Sequence, residues 1–327
     1  MKKCMGCMRD YDEKYESCPV CGYSVEDMDE GVKEKEDSLR PESILAGRYI
    51  IGRVLSYTEY DITYLAWDAL LQKKVVIKEF LPLNSAGRKL GYEEIQILKG
   101  EESNFTRGLE AFEKECHLLN YNQDISSLVN VFRCIKENGT VYMVMEYLEG
   151  CTLQDYIEEH GKLSDSEATE LFTKLLNVLE EMHDRNIYHW NLTPDNIYLN
   201  ERNEICLIDP GHAKKQYFYS VKGDIDIYRR EFIAPELLLG RQVFSNADLY
   251  SLGAVYYFMI MGKEPKDSTI KKKRKDLKTG NLPQELILAL LMRANPEKRP
   301  ETVQCFRERY EAAGKRRVRN GQKRKTK

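Results

Sequence analysis

Four cysteines near the start of the chain have the spacing of a metal site: Cys4-x2-Cys7-x10-Cys18-x2-Cys21. Two residues between paired thiolates let one tight turn present both sulfurs to a single ion, and two such knuckles complete a tetrahedral set. The soft thiolates favour zinc. Gly6 and Gly22 stand where knuckle turns take small residues. With every ligand supplied by protein the site is expected to be structural, because a catalytic zinc keeps an open position. The segment is too short to hold a core, so metal binding would supply its folding free energy. The competing reading is a redox pair or coincidental cysteines. Cys116, Cys134, Cys151, Cys206 and Cys305 are scattered through apolar context. A reducing compartment with one metal site and five core thiols fits the nine cysteines better than a disulfide framework.

A second set of chemistry-bearing residues runs through the rest of the chain. Val75-Val76-Ile77-Lys78-Glu79 places a lysine at the end of an apolar run, and Glu115 follows on a segment of helical spacing. Next come Met145-Glu146-Tyr147-Leu148-Glu149-Gly150, His189-Trp190-Asn191-Leu192-Thr193-Pro194-Asp195-Asn196 and Asp209-Pro210-Gly211. Ala234-Pro235-Glu236, Asp248 and Arg299 complete the series. In order and spacing, residues 48 to about 312 resemble the protein kinase family. Lys78-Glu79-Phe80-Leu81-Pro82 and Phe105-Thr106-Arg107-Gly108-Leu109 further resemble the bacterial Ser/Thr kinases of eukaryotic type. The cysteine segment is similar to small zinc ribbons fused to many bacterial proteins. The kinase resemblance implies that Lys78 contacts nucleotide phosphates and pairs with Glu115. It also implies that the backbone around Glu146 and Leu148 meets an adenine ring, and that Asn196 and Asp209 bind the magnesium of ATP. Glu236 with Arg299, and Asp248, are the elements that hold the helical lobe together in active and inactive members alike.

Against that pattern the catalytic positions are altered. Ser56, Thr58 and Asp61 stand where the family has the glycines of its phosphate loop, so side chains enter that space and Glu59 and Asp61 add negative charge. Asn191 takes the position of the aspartate that accepts the substrate proton, and an amide is not a useful base. Such help is worth about 10² to 10⁴ in rate. Thr193 replaces the lysine beside the transferred phosphate, where a fixed positive charge is lost. Arg229 replaces the threonine that joins the two. Trp190 replaces the arginine that grips a phosphorylated loop, and Pro210 the phenylalanine beneath the Glu115 helix, so loop phosphorylation is not expected to switch this chain.

The elements that must position these residues are legible in the periodicity. Tyr49–Leu55, Ile62–Trp67, Lys74–Lys78 and Val141–Met145 read as strands. Residues 109, 112, 116 and 119 follow helical spacing. Ser164 with Glu167 reads as a capping box opening a helix to Met182, and 245–261 and 283–293 read as further helices. The expected fold is α+β and bilobal, a small β-rich lobe before a larger α-helical lobe. The expected organisation is a zinc ribbon over 1–24, an acidic solvated linker over 25–42, a protein-kinase-like domain over 43–314 and a basic tail over 315–327.

Bulk properties exclude some classes. A net charge of -3 gives no global field for nucleic acid, and 42% hydrophobic with 31% charged residues suits a globular chain. The longest apolar run, Leu249–Met261, is too short to span a bilayer, and no secretory signal follows Met1-Lys2-Lys3-Cys4, so the expected location is cytoplasmic. Lys271-Lys272-Lys273-Arg274 and the tail are basic patches that would suit anionic lipid or nucleic acid, although the tail lacks aromatics and a solvated terminus is the favoured reading. Taken together the residues point to a pseudokinase with a regulatory or scaffolding role, a structural zinc and a protein partner. Binding of ATP and magnesium stays open. Two other readings are an active but atypical Ser/Thr protein kinase, and a zinc-ribbon adaptor contacting nucleic acid.

Overall fold

The structure is a computed structural model that describes residues 1–24, 37–89, 91–211, 229–239, 241, 243–266 and 279–313. The 25–36 part of the acidic stretch, Lys271–Arg274 and the basic tail lie outside the described residues. The described chain divides into two compact units. One is built from 1–124 and 129–148, the other from 125–128, 149–211 and the described residues from 229 onward.

The first unit carries a six-stranded antiparallel sheet. Its strands are β3 (Ile44–Leu45), β4 (Tyr49–Tyr57), β5 (Asp61–Asp68), β6 (Lys73–Phe80), β9 (Val131–Glu137) and β10 (Thr140–Glu146), in the order β3-β4-β5-β6-β10-β9. Tyr64, Ile77, Val75, Tyr142 and Val144 are fully buried in it, as β-branched and aromatic residues on a pleated surface should be. The helix α1 (Glu102–Tyr121) is longer than the 109–121 spacing suggests. Phe105 and Gly108 continue the same buried stripe as Phe112, Cys116 and Leu119, which draws the extra turns into helix. Two short strands, β7 (Ala86–Arg88) and β8 (Ile95–Ile97), form a separate hairpin, and β1 (Lys2–Lys3) with β2 (Asp10–Tyr11) form another.

The stretch read as solvated linker is not solvated at its described end. Leu39 is buried and its backbone N–H donates to the Tyr64 hydroxyl at 3.0 Å. Asp37 Oδ1 accepts from the Arg88 backbone at 2.6 Å, and its carbonyl accepts from the Arg88 guanidinium. Arg88 in turn is paired with Glu79, which is wholly buried and accepts from the Tyr64 hydroxyl at 2.7 Å. Burial and the neighbouring Glu79 push the Tyr64 phenol well up. A buried carboxylate survives only with partners of this kind.

The second unit is mainly helical: α2 (Leu153–His160), α3 (Asp165–Asp184), α4 (Pro235–Leu238), α5 (Asn246–Met261), α6 (Leu282–Leu291) and α7 (303–313). The Ser164 box exists: Ser164 Oγ accepts from Glu167 N at 3.3 Å and Glu167 Oε2 accepts from Ser164 N at 2.9 Å. Buried residues lie all round α5, as its nearly continuous apolar sequence requires. A small sheet of β11 (Cys151–Thr152), β12 (Ile197–Leu199) and β13 (Ile205–Leu207) brackets the Asn191 segment and leads on to Asp209. Arg299 is wholly buried and bonds Glu236 Oε1 at 2.7 Å and the Asn246 carbonyl at 2.9 Å. Of the five cysteines read as core thiols, Cys116 alone is fully buried, and the other four are half-buried. No helix among the described residues is long and apolar enough to cross a membrane.

Candidate functional site

The cysteine cluster is assembled by backbone. Met8 N donates to Cys4 O at 2.7 Å and Gly22 N to Cys18 O at 2.8 Å, closing the two knuckles. The sulfurs of Cys4 and Cys21 lie 3.5 Å apart and those of Cys7 and Cys18 lie 3.8 Å apart, and all four fall within 4.8 Å of one another. A tetrahedron with metal–sulfur bonds of about 2.3 Å has edges of about 3.8 Å, so the set can hold a metal ion. Desolvation raises the Cys4 and Cys7 thiols. At Cys18 burial pulls the same way, but the N–H groups of Val20 and Cys21 together with the Cys4 and Cys21 sulfurs outweigh it and bring the thiol down to about 7. Met5 and Met8, carried on the first knuckle, are buried with Leu65 of β5, and Ile50, Trp67, Tyr147 and Tyr23 pack around them. Arg53 N of β4 donates to Met5 O at 2.9 Å.

In the same unit, Lys78 lies on β6 and is buried, and Glu115 is buried on α1. The ammonium of Lys78 sits 3.1 Å from Asp61 Oδ2. Sheet register explains the pairing. Asp61 opposes Phe80 and Thr63 opposes Lys78, so Asp61 and Lys78 are diagonal neighbours on one face, within reach of a long side chain. The connection from β4 to β5 is tight. Thr58 Oγ1 accepts from Tyr60 N and Asp61 N at 3.2 and 3.0 Å and meets Asp61 Oδ1 at 3.0 Å. Tyr60 is buried edge-on against Phe80, with centroids 5.2 Å apart. Glu146 Oε1 accepts from Asn130 N at 2.8 Å, and Leu148 is half-buried beyond the end of β10.

The second unit holds the other candidate residues. Asp248, at the start of α5, accepts from His189 N at 2.9 Å and Trp190 N at 2.6 Å and so fixes the loop backbone. Trp190 and Asp209 adopt left-handed φ values of 52° and 54°. That conformation costs a non-glycine residue about 1–2 kcal/mol and persists because the surrounding contacts impose it. Asn191 Nδ2 donates to Asp209 Oδ2 at 3.1 Å and to Asp209 O at 3.0 Å. Asn196 Nδ2 donates to Asn191 O at 2.9 Å. Thr193 is buried, and its carbonyl accepts from Asn196 N at 3.0 Å. The structure thus gathers Asn191, Thr193, Asn196 and Asp209. Arg229 turns to Asp195 and Glu264, ion-paired to both, and bonds Gln154 Oε1 at 2.9 Å.

Among the interactions that escape sequence reading are those of Asp61 with Lys78, of Arg229 with Asp195 and Glu264, and of Glu79 with Arg88. The first had a signal. An acid in place of a small residue, on a strand whose neighbour carries the lysine, points to the same sheet face.

The profile described as the protein kinase domain matches residues 92–310. The chain is 28% identical over 246 residues to serine/threonine-protein kinase F of Synechocystis sp., covering 70% of this chain and 47% of that protein. It is 27% identical over 229 residues to serine/threonine-protein kinase PrkC of Bacillus subtilis, covering 68% of this chain and 32% of that protein. The chain therefore spans less than half the length of these curated relatives. The solved structure titled "PpkA-294 apo form" superposes with a TM-score of 0.72 at 24% identity, over 84% of this chain and 99% of that one, which shows the same fold. With its profile match running through the Asn191 loop, Asp209 and Arg299, this chain belongs to the protein kinase domain family.

Proposed function

We propose that this chain is a pseudokinase: a regulatory or scaffolding member of the family with a structural zinc in its cysteine cluster and a protein as its partner. The observation that carries the reading is the amide of Asn191, which donates to the Asp209 carboxylate at 3.1 Å. At this position the family needs a carboxylate acceptor for the substrate proton, and here a donor is turned on Asp209, the residue at the family's metal-ligand position, instead. Thr193 adds no charge, and Arg229 is engaged by Asp195 and Glu264.

By residue type Lys78, Asn196 and Asp209, with the backbone from Glu146 to Leu148, would hold a magnesium nucleotide. Such a group, when bound, supplies the transferable phosphoryl. All three side chains already have partners: Lys78 in Asp61, Asp209 in the Asn191 amide and Asn196 in the Asn191 carbonyl. A second reading, a weak but genuine Ser/Thr kinase, is favoured by the presence of Lys78, Glu115, Asn196 and Asp209, the residue types that ATP and its magnesium would need.

The test is transfer of labelled γ-phosphate from ATP, with magnesium or manganese, to the chain itself and to a generic basic protein. The expected result is incorporation no greater than that of Asp209→Ala. Robust incorporation that Asp209→Ala abolishes would overturn the pseudokinase reading in favour of the atypical kinase.

A further inference from the structure

The buried pair of Lys78 and Asp61 lies outside the sequence-level account of the site. In the sequence Asp61 reads only as added negative charge near a phosphate. The geometry gives it a more definite part. Both side chains are buried, with fractional exposures of 8% for Lys78 and 3% for Asp61, and the ammonium nitrogen lies 3.1 Å from Oδ2. The other carboxylate oxygen is fixed by the Thr58 hydroxyl at 3.0 Å, and the Asp61 backbone N–H is tied to the same hydroxyl. Thr58 N donates to Asp61 O at 2.9 Å, Leu81 N to Tyr60 O at 3.1 Å and Leu83 N to Glu59 O at 3.0 Å. Tyr60 anchors the turn against Phe80. The carboxylate is therefore held from both sides in the sequence, not carried on a free loop.

We propose that Asp61 is a built-in anion that occupies Lys78 and makes the small unit discriminate against phosphorylated ligands in favour of an uncharged nucleoside. The inference rests on reading Lys78 as the residue that faces a nucleotide. An incoming phosphate has two routes. It can displace the carboxylate, which leaves a buried anion without its cation. Or it can bind beside the carboxylate, which puts like charges together in a weakly screened place. Either route removes the gain that a phosphate normally draws from a lysine, while a nucleoside with no phosphate meets neither penalty. The same pair keeps Lys78 neutralised without a ligand, so the small unit does not need nucleotide to satisfy its buried ammonium.

The experiment is calorimetric titration of the full-length zinc-loaded chain with adenosine and with ADP, in buffer free of magnesium and manganese. The variants are Asp61→Asn and Asp61→Gly. Asp61→Asn keeps the shape and an oxygen for Thr58 while removing the charge. Asp61→Gly restores the residue type common to the family, and circular dichroism with an unfolding curve checks that each variant folds. Wild type is expected to bind adenosine at least as tightly as ADP. Both variants should gain ADP affinity by about tenfold or more, with adenosine unchanged. Wild type that prefers ADP by about tenfold overturns the proposal by itself. So does an ADP affinity that is the same, measurable or absent, in wild type and in a folded variant. Phosphoryl transfer by the wild type would overturn the pseudokinase reading and leave this comparison standing. An unmoved ADP affinity would remove this proposal and leave the pseudokinase reading in place.

Discussion

Asparagine and aspartate have nearly the same shape, so Asn191 fits the loop without disturbing it. What changes is the direction of the hydrogen bond. The amide donates to Asp209 Oδ2 at 3.1 Å. A carboxylate in its place would set two acceptors against each other at that separation. A hydrogen bond to a charged group contributes about 1.5–3 kcal/mol, so Asn191→Asp should destabilise the metal-free protein by about 2 kcal/mol. The measurement is urea unfolding in a chelating buffer. Magnesium or manganese should return part of that loss in the variant and little in the wild type, because a cation between two carboxylates removes their repulsion. A variant as stable as wild type without metal would show that the Asn191 amide contributes nothing to the native site. The same bond was out of reach for sequence reading, which located Asn191 and Asp209 by motif but had no means to say which atom would face which.

At the scale of elements the periodicity was informative. The four strands read from alternation, the capped helix from Asp165 and the buried helix from Asn246 lie where alternation, capping residues and apolar runs put them. Their ends moved, and α1 gained its first turns from Phe105 and Gly108, whose burial depends on a sheet assembled from distant strands. Contacts across long separations left no periodic trace. The close approach of the first cysteine knuckle to β4 is the clearest of these. A Cβ added at Gly52 would lie 2.2 Å from Met8 Cε and 2.5 Å from Met5 O. Gly52 of β4 is therefore the seat of the knuckle. The Met8 terminus can swing away, whereas the Met5 carbonyl is fixed by Arg53 N. Gly52→Ala should therefore lift the knuckle from the strand and cost about 1–3 kcal/mol, the usual range for overpacking. Urea unfolding would register the loss, and the four cysteines should react faster with a thiol reagent. Unchanged thiol reactivity would mean that the knuckle does not depend on this seat.

For the molecule as a whole, the question is whether the cysteine cluster is an appendage or a part of the first unit. Met5 and Met8 share a buried cluster with Leu65, flanked by Trp67 and by Tyr147, which follows the end of β10. The Lys3 ammonium lies 3.8 Å from the Trp67 ring centre, a cation–π contact that depends on the knuckle being folded. The segment's own buried cluster is only Cys4, Tyr11 and Cys18 with Cys7 and Tyr23 against it, three of these five being candidate metal ligands, so its folding should follow its metal. The chain contains only two tryptophans, and they report separately: Trp67 belongs to the first unit, and Trp190 is buried in the second, stacked on Tyr188 with centroids 5.3 Å apart. With zinc in the cluster as proposed, a strong chelator should shift the Trp67 emission to the red as the knuckle leaves its face. The emission of Trp190 should stay where it is, because its loop belongs to the second unit and is held there by Asp248. Trp190→Phe and Trp67→Phe isolate the two signals. If Trp67 is silent on chelation, the metal folds only its own segment. If Trp190 moves as well, the metal's influence extends into the second unit, beyond the residues that pack on the knuckle.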